Sequence, residues 1–238
     1  MEIVLDVVNH VYRNTVTDQK YTSVTNFIGQ YKQTFDKDKW SQHVADRDGV
    51  DKSVILDTWK QLTKDAQDRG TNAHTAMELY VKNKHRESGY EELFDSFDEK
   101  TKGIIKTTSQ VLSETIVYDH QHLLAGTADL FVVNGDVFHV LDYKTNKKFN
   151  FFSKYSEYFK EPIEYLQQCE FTTYSIQMSV YAHLFELMTG KKCASIRVLY
   201  LREFSGKRFW QDIHCTYLKS AVKELMQNRL SVLEQETA

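Results

Sequence analysis

Cysteine, proline and glycine are scarce in these 238 residues, at three, one and nine. The cysteines (Cys169, Cys193, Cys215) form no Cys-x-x-Cys pair, which excludes a zinc ribbon and a four-cysteine iron–sulfur cluster, and their odd number speaks for a reducing compartment. A single proline, Pro162, and few glycines leave no stretch of linker composition, so 1–238 reads as one domain. No apolar run approaches the ~18 residues that would cross a bilayer. The start, Met1-Glu2-Ile3-Val4, lacks the basic and apolar regions of a signal peptide. A soluble cytoplasmic protein with no membrane partner is expected. A strong positive charge is lacking too: the net charge of −3 excludes coating duplex DNA by charge alone.

What is present is core-forming: 41% of residues are hydrophobic and 13% aromatic. Periodicity divides the chain into a mostly helical part, 1–105, and a sheet core with a C-terminal helix, 106–238. Residues 3–12 alternate as an edge strand, and Ser23 can cap a short helix with a Val24, Phe27, Ile28 and Tyr31 stripe. A helix over 37–47 ends at Gly49. A longer one over 52–83 carries Ile55, Trp59, Leu62, Ala66, Ala73, Met77 and Val81 inward, with a kink or break expected at Gly70-Thr71. A short helix near 90–99 precedes strands at 111–119, 123–133 and 137–144. A helix over 173–189 stops at Gly190. Strands at 194–204 and 207–214 join through Ser205-Gly206, and a helix over 216–234 closes the chain. Strands flanked by helices, with hairpins among them, indicate an α/β fold with a central mixed sheet.

Asn134-Gly135 between two apolar runs is a strong hairpin signal. A two-residue turn there pairs Val133 with Asp136 and Asp129 with Val140. Asp129, Asp142 and Lys144 then share one face, with the two carboxylates diagonal neighbours at roughly 7–8 Å. An odd loop would part them, so an even loop length or a bulge is required. Two carboxylates with the Tyr143 carbonyl and waters suit a hard divalent cation, Mg²⁺ or Mn²⁺. A lysine beside such an ion adds fixed positive charge where a phosphodiester is attacked. Read alone, a strand ending in Asp-x-Lys is also compatible with a solvated edge.

His74 lies on the inward stripe of the long helix with Glu78 one turn on. It is either a core histidine or a ligand that biases the site towards Mn²⁺. Glu114 shares a face with Leu112 and Ile116 and needs a partner if buried, as a metal or outer ligand or at a sheet edge. Gln177 and Tyr181, one turn apart, could grip a phosphate or base, or sit on a helix rim. Lys147 and Lys148 follow the Asp-x-Lys strand and offer charge to phosphate. The stretch 149–166 interleaves Phe149, Phe151, Phe152, Tyr155, Tyr158, Phe159 and Tyr165 with lysines. That composition fits stacking of single-stranded nucleic acid, or a helical flap packed on the core.

The ordered set His74, Glu114, Asp129, Asp142-Tyr143-Lys144, Gln177-x-x-x-Tyr181 resembles the PD-(D/E)XK nuclease superfamily. Within it, Gly70-Thr71-Asn72-Ala73-His74, Gly126-Thr127-Ala128-Asp129, Asp142-Tyr143-Lys144-Thr145 and Tyr174 to Tyr181 resemble the RecB-like branch that holds phage and mitochondrial single-strand exonucleases. Tyr21 to Thr25 resembles that branch's opening helix. The resemblance implies a restriction-endonuclease-like core. It implies His74, Asp129, Asp142 and the Tyr143 carbonyl as metal ligands, with Lys144, Asp129 and Asp142 catalytic and Glu78 and Glu114 in support. Ser23, Thr25, Gln177, Tyr181, Lys147 and Lys148 would contact substrate. It implies a Mg²⁺/Mn²⁺-dependent DNA exonuclease of recombination, repair or phage genome processing, in a bacterial or phage-infected cell. No phosphate-binding loop is present, so strand opening falls to a helicase, recombinase or single-strand-binding partner. An endonuclease of the same fold and a noncatalytic DNA-binding module are the alternatives. Converging carboxylates that repel phosphate weigh against the module.

Overall fold

A computed structural model describes residues 2–6, 9 and 11–237, with the side chain of Thr237 left out. The elements run β1 (Ile3–Asp6), β2 (Val11–Asn14), β3 (Lys20–Ser23), α1 (Val24–Gln30), α2 (Lys37–Asp48), α3 (Lys52–Asn83), α4 (Glu91–Thr101), β4 (Gln110–Asp119), β5 (Leu124–Asn134), β6 (Val137–Lys144), α5 (Glu170–Thr189), β7 (Lys192–Phe204), β8 (Lys207–Cys215) and α6 (Lys219–Thr237). The result is α/β, as expected: one mixed eight-stranded sheet with six helices among the described residues.

The expected single edge strand over 3–12 is instead two strands, β1 and β2, paired antiparallel from Ile3↔Asn14 to Asp6↔Val11. Residues 7, 8 and 10 of that expected strand lie outside the described residues. Ser23 caps α1 by accepting from Asn26 N–H at 3.1 Å, and Gly49 and Gly190 end α2 and α5 in left-handed conformations at φ 67° and 70°. The long helix α3 runs unbroken through Gly70, where a kink or a break was expected. A Cβ at Gly70 would stand 3.3 Å from Thr145 Oγ1, so the glycine serves a close approach of helix to loop. Leu62, placed inward by its spacing, is 49% exposed because the first half of α3 lines an open cleft.

The β5–β6 hairpin has a two-residue loop, one position later than the Asn134-Gly135 dipeptide suggests. Asn134 pairs with Val137, and Gly135 takes φ 63° in the loop. Asn134 is held in the strand by its own side chain. Its Nδ2 donates to Ile104 O at 2.9 Å, and its Oδ1 accepts from Ser109 Oγ at 2.6 Å. The pairing is therefore Phe131↔Val140 and Leu130↔Leu141, shifted by two residues. A shift of two keeps every side chain on its face. The ladder ends at Leu130↔Leu141, short of Asp129 and Asp142, so the expected diagonal pairing of the two does not form.

Both faces of the sheet are covered. Phe131, Val133, Phe138 and Val140 face α1, α5 and α6 in the larger core. Leu130, Val132, Leu141 and Tyr143 face α3 and α4 in a second core with Met77, Phe94 and Trp210.

Candidate metal centre and active site

The site lies in a fork of the sheet. β4 pairs along one whole edge of β5, from Gln110↔Val133 to Asp119↔Leu124. The other edge is shared: β6 takes Leu130 to Asn134, while β3 joins in parallel at Leu124 and Ala125. Gly126-Thr127-Ala128-Asp129 therefore spans the gap where β6 turns away to follow β7 through Lys144↔Tyr200. In that gap the Asp129 carboxylate takes over the strand's role. The Tyr143 N–H donates to Asp129 Oδ2 at 2.7 Å.

Gly126 is required by packing. A Cβ there would come 2.6 Å from Tyr181 Cε1 and 3.0 Å from Val24 Cγ2. Its absence lets α1 and α5 close over the fork, and α5 carries Gln177, whose Nε2 donates to the Tyr181 hydroxyl at 3.1 Å. Tyr181 is buried, 4% exposed, so it packs beneath the fork rather than on the helix rim.

From the opposite layer α3 delivers His74. Its Nε2–H donates to the Tyr143 carbonyl at 2.9 Å, and its Nδ1 lies 3.4 Å from Asp129 Oδ2. Burial opposes the imidazolium, but the Asp129 charge outweighs it and lifts the His74 pKa to about 9. For Asp129, burial favours the neutral acid, yet His74 prevails and the carboxyl sits below its ordinary value.

Asp142 is 3% exposed. Burial pushes its pKa up, against the pull of Lys144. Lys144 Nζ stands 2.5 Å from Asp142 Oδ2, a buried ion pair. Lys144 also lies 4.7 Å above the Tyr174 ring. Burial works against its charge, and Asp142 and Asp129 overcome it, holding the ammonium protonated.

Glu114 sits on β4 at the position opposite Asp129, where the ladder passes from Ser113↔Leu130 to Thr115↔Ala128. Its φ of 49° is left-handed, unusual for a non-glycine residue within a strand. Ligand atoms of His74, Glu114 and Asp129 all lie within 4.8 Å of one another. Burial, then Asp129 and Glu78, raise the Glu114 pKa to about 7.

The remaining expected residues are more dispersed. Glu78 pairs with Lys82 Nζ at 2.5 Å while lining the recess that holds Glu114 and Asp129. Ser23 uses its hydroxyl as a cap, Thr25 is exposed on α1, and neither lines the clefts of Lys144 or Glu114. Lys147 and Lys148 are exposed on the loop after β6. Lys148 borders a groove that also holds Lys32, a residue with no sequence signal. Tyr174 received no role from its spacing, yet it touches Lys144 and its hydroxyl donates to Asn146 Oδ1 at 3.2 Å. Its position in the Tyr174 to Tyr181 stretch was the available signal. The stretch 149–166 forms no helix: Phe159 and Ile163 are buried, while Phe151, Phe152, Tyr155, Tyr158 and Tyr165 are exposed.

No family model and no curated protein sequence matches the chain. Among solved structures, the protein SSO0001 is similar over 91% of this chain and 78% of its own, at 12% identity and a TM-score of 0.40. An alkaline exonuclease from Laribacter hongkongensis, LHK-Exo, is similar over 70% of this chain and 80% of its own, at 15% identity and a TM-score of 0.29. Likeness this slight establishes neither fold nor activity. No helix among the described residues is long and apolar enough to cross a membrane.

Proposed function

We propose that the chain is a DNA nuclease dependent on a divalent cation, Mg²⁺ or Mn²⁺, acting at DNA ends or on single strands. One observation carries the reading: ligand atoms of His74, Glu114 and Asp129 gather within 4.8 Å of one another beside the buried ion pair of Asp142 Oδ2 and Lys144 Nζ at 2.5 Å. Glu114, Asp129 and Asp142 repel one another across the fork, and a cation relieves that repulsion. The residues therefore fit a cation. Asp129, Asp142 and the Tyr143 carbonyl are hard oxygen donors within reach of the fork, Glu114 is a further carboxylate, and the His74 imidazole favours Mn²⁺. Such a cation, when bound, supplies Lewis acidity towards a phosphodiester oxygen and a water of lowered pKa.

The other steps fall to the chain. Lys144 stays charged, so it acts as fixed positive charge beside a non-bridging oxygen and not as a base. Tyr174 and Asp142 hold that ammonium in place. Glu114, raised to a pKa of about 7 by burial, Asp129 and Glu78, gives up its proton when a cation binds beside it. The ordered motif's resemblance to single-strand exonucleases supports action at ends, with strand opening by a partner protein.

Digestion of end-labelled linear DNA and circular single strands tests this. Wild type with Mg²⁺ or Mn²⁺ should shorten the linear substrate and spare circles, and Lys144→Ala should slow it by about 10²-fold or more. Equal degradation by wild type and Lys144→Ala overturns the proposal, and cut circles move it to an endonuclease of the same fold.

A further inference from the structure

The loop between β6 and α5 is firmly tied down. Phe159 and Ile163 are buried in the larger core. Lys160 N–H donates to Tyr31 O at 2.7 Å, Phe159 N–H to Leu166 O at 3.0 Å, and Gln168 N–H to Glu157 O at 2.8 Å. Despite that anchoring, Phe152 and Tyr155 remain 77% and 67% exposed. Large rings held in water by a fixed backbone mark a surface that something else covers.

The two rings border a groove of about 520 Å³ that also presents Lys32, Lys148 and Lys154. Lys32 is half-buried at the end of α1, and no ion pair or hydrogen bond to its ammonium occurs among the described residues. Burial presses its pKa down, and the nearby Lys144 adds to that against Glu170. The acidic Glu170 is engaged elsewhere, accepting from Asn150 N–H at 3.2 Å and Asn150 Nδ2 at 2.9 Å. Tyr174 lines both this groove and the cleft of about 490 Å³ that contains Lys144. The groove and the Lys144 cleft therefore meet at Tyr174.

We propose that this groove is a track for single-stranded nucleic acid, which stacks bases on Phe152 and Tyr155, pairs phosphates with Lys32, Lys148 and Lys154, and enters the Asp142–Lys144 site past Tyr174. Exposed rings, Tyr155 carrying Lys154 Nζ over one face at 5.3 Å, favour unpaired bases, because a duplex hides its base faces and offers phosphate alone. Lys32, Lys148 and Lys154 outnumber Glu157 and Glu170 along the groove, a positive excess on a chain of net charge −3. The inference rests on the nuclease reading only for where the track leads.

Fluorescence anisotropy with a labelled oligothymidylate in EDTA tests the track without cleavage. Wild type should bind the oligonucleotide more tightly than a blunt duplex of equal length. Phe152→Ala/Tyr155→Ala should weaken that binding by about tenfold or more. Lys32→Gln should reduce the salt dependence by about one counterion. Both variants alter groove-facing side chains, and unchanged melting temperatures check that they fold. Oligonucleotide binding that ignores both rings overturns the track. So does a loss of self-association in the double variant with oligonucleotide affinity intact, which would make the rings a contact between copies. A wild type that binds through the rings yet leaves DNA uncut with Mn²⁺ upholds the track and overturns the nuclease. Cleavage unaffected by losing the rings does the reverse.

Discussion

The Tyr143 backbone N–H donates to the Asp129 carboxylate at 2.7 Å, across the gap where β5 and β6 part. One side chain therefore serves both the fold and the proposed chemistry, and two substitutions separate these duties. Asp129→Ala leaves a buried N–H without an acceptor, and unfolding free energy should fall by about 1–3 kcal/mol. Asp129→Asn retains an acceptor and should lose less. Both should bind Mn²⁺ weakly, so denaturant melts distinguish the variants while metal titration does not.

Glu114 places a left-handed backbone next to a cluster of carboxylates. Glu114→Gly relieves the φ strain and one buried charge, at the cost of extra freedom in the unfolded chain. Without metal, the variant should melt no lower than wild type. It should nonetheless hold Mn²⁺ several-fold more weakly. A clear drop in melting temperature would show that Glu114 stabilises the fold itself.

Gly126→Ala should be expensive. The added methyl meets the buried Tyr181 ring and Val24 at 2.6 and 3.0 Å, and overpacking of this kind costs about 1–3 kcal/mol. Because Tyr181 supports Gln177, cleavage should fall together with stability. Thermal melts and digestion rates measured on one preparation check this.

The pH dependence of metal-free stability has a definite sign. His74 binds its proton more tightly folded, with a pKa of about 9 against 6.5 in the unfolded chain. Its contribution is complete below pH 6.5 and is lost as pH rises through 9. Glu114 is likewise raised, to about 7 from 4.5, so stability also falls as pH climbs through that window. In EDTA the melting temperature should therefore decline from about pH 5 to 9. Mn²⁺ should reverse the trend, since a cation displaces these protons and binds better at higher pH. His74→Gln should flatten the upper part of the curve.

Much of this was legible in the sequence, for local reasons. Strand and helix periods, the left-handed stops at Gly49 and Gly190 and the even hairpin loop are properties of short segments. The hairpin's true register was not, because it depends on Asn134 bonding to Ile104 and Ser109, far away in sequence. Parity survived the two-residue shift as far as Leu130, but alternation in β5 breaks at Asp129, since Ala128 and Phe131 both face the larger core and Asp129 meets His74 of α3. The fork was hidden because β3 pairs with β5 through only Thr22 and Ser23, where helix-cap chemistry dominates the local pattern. Lys32 and Tyr174 were missed for a similar reason: their importance lies in which loops fold against them.

The account depends most directly on a divalent cation bound at the fork with Asp142 among its ligands. Calorimetric titration of Mn²⁺ into wild type and Asp142→Asn, whose shapes are nearly identical, tests that point. The account predicts saturable binding by wild type and affinity lower by on the order of 10- to 100-fold in the variant. Superimposable isotherms, or no saturable binding by wild type, would contradict it.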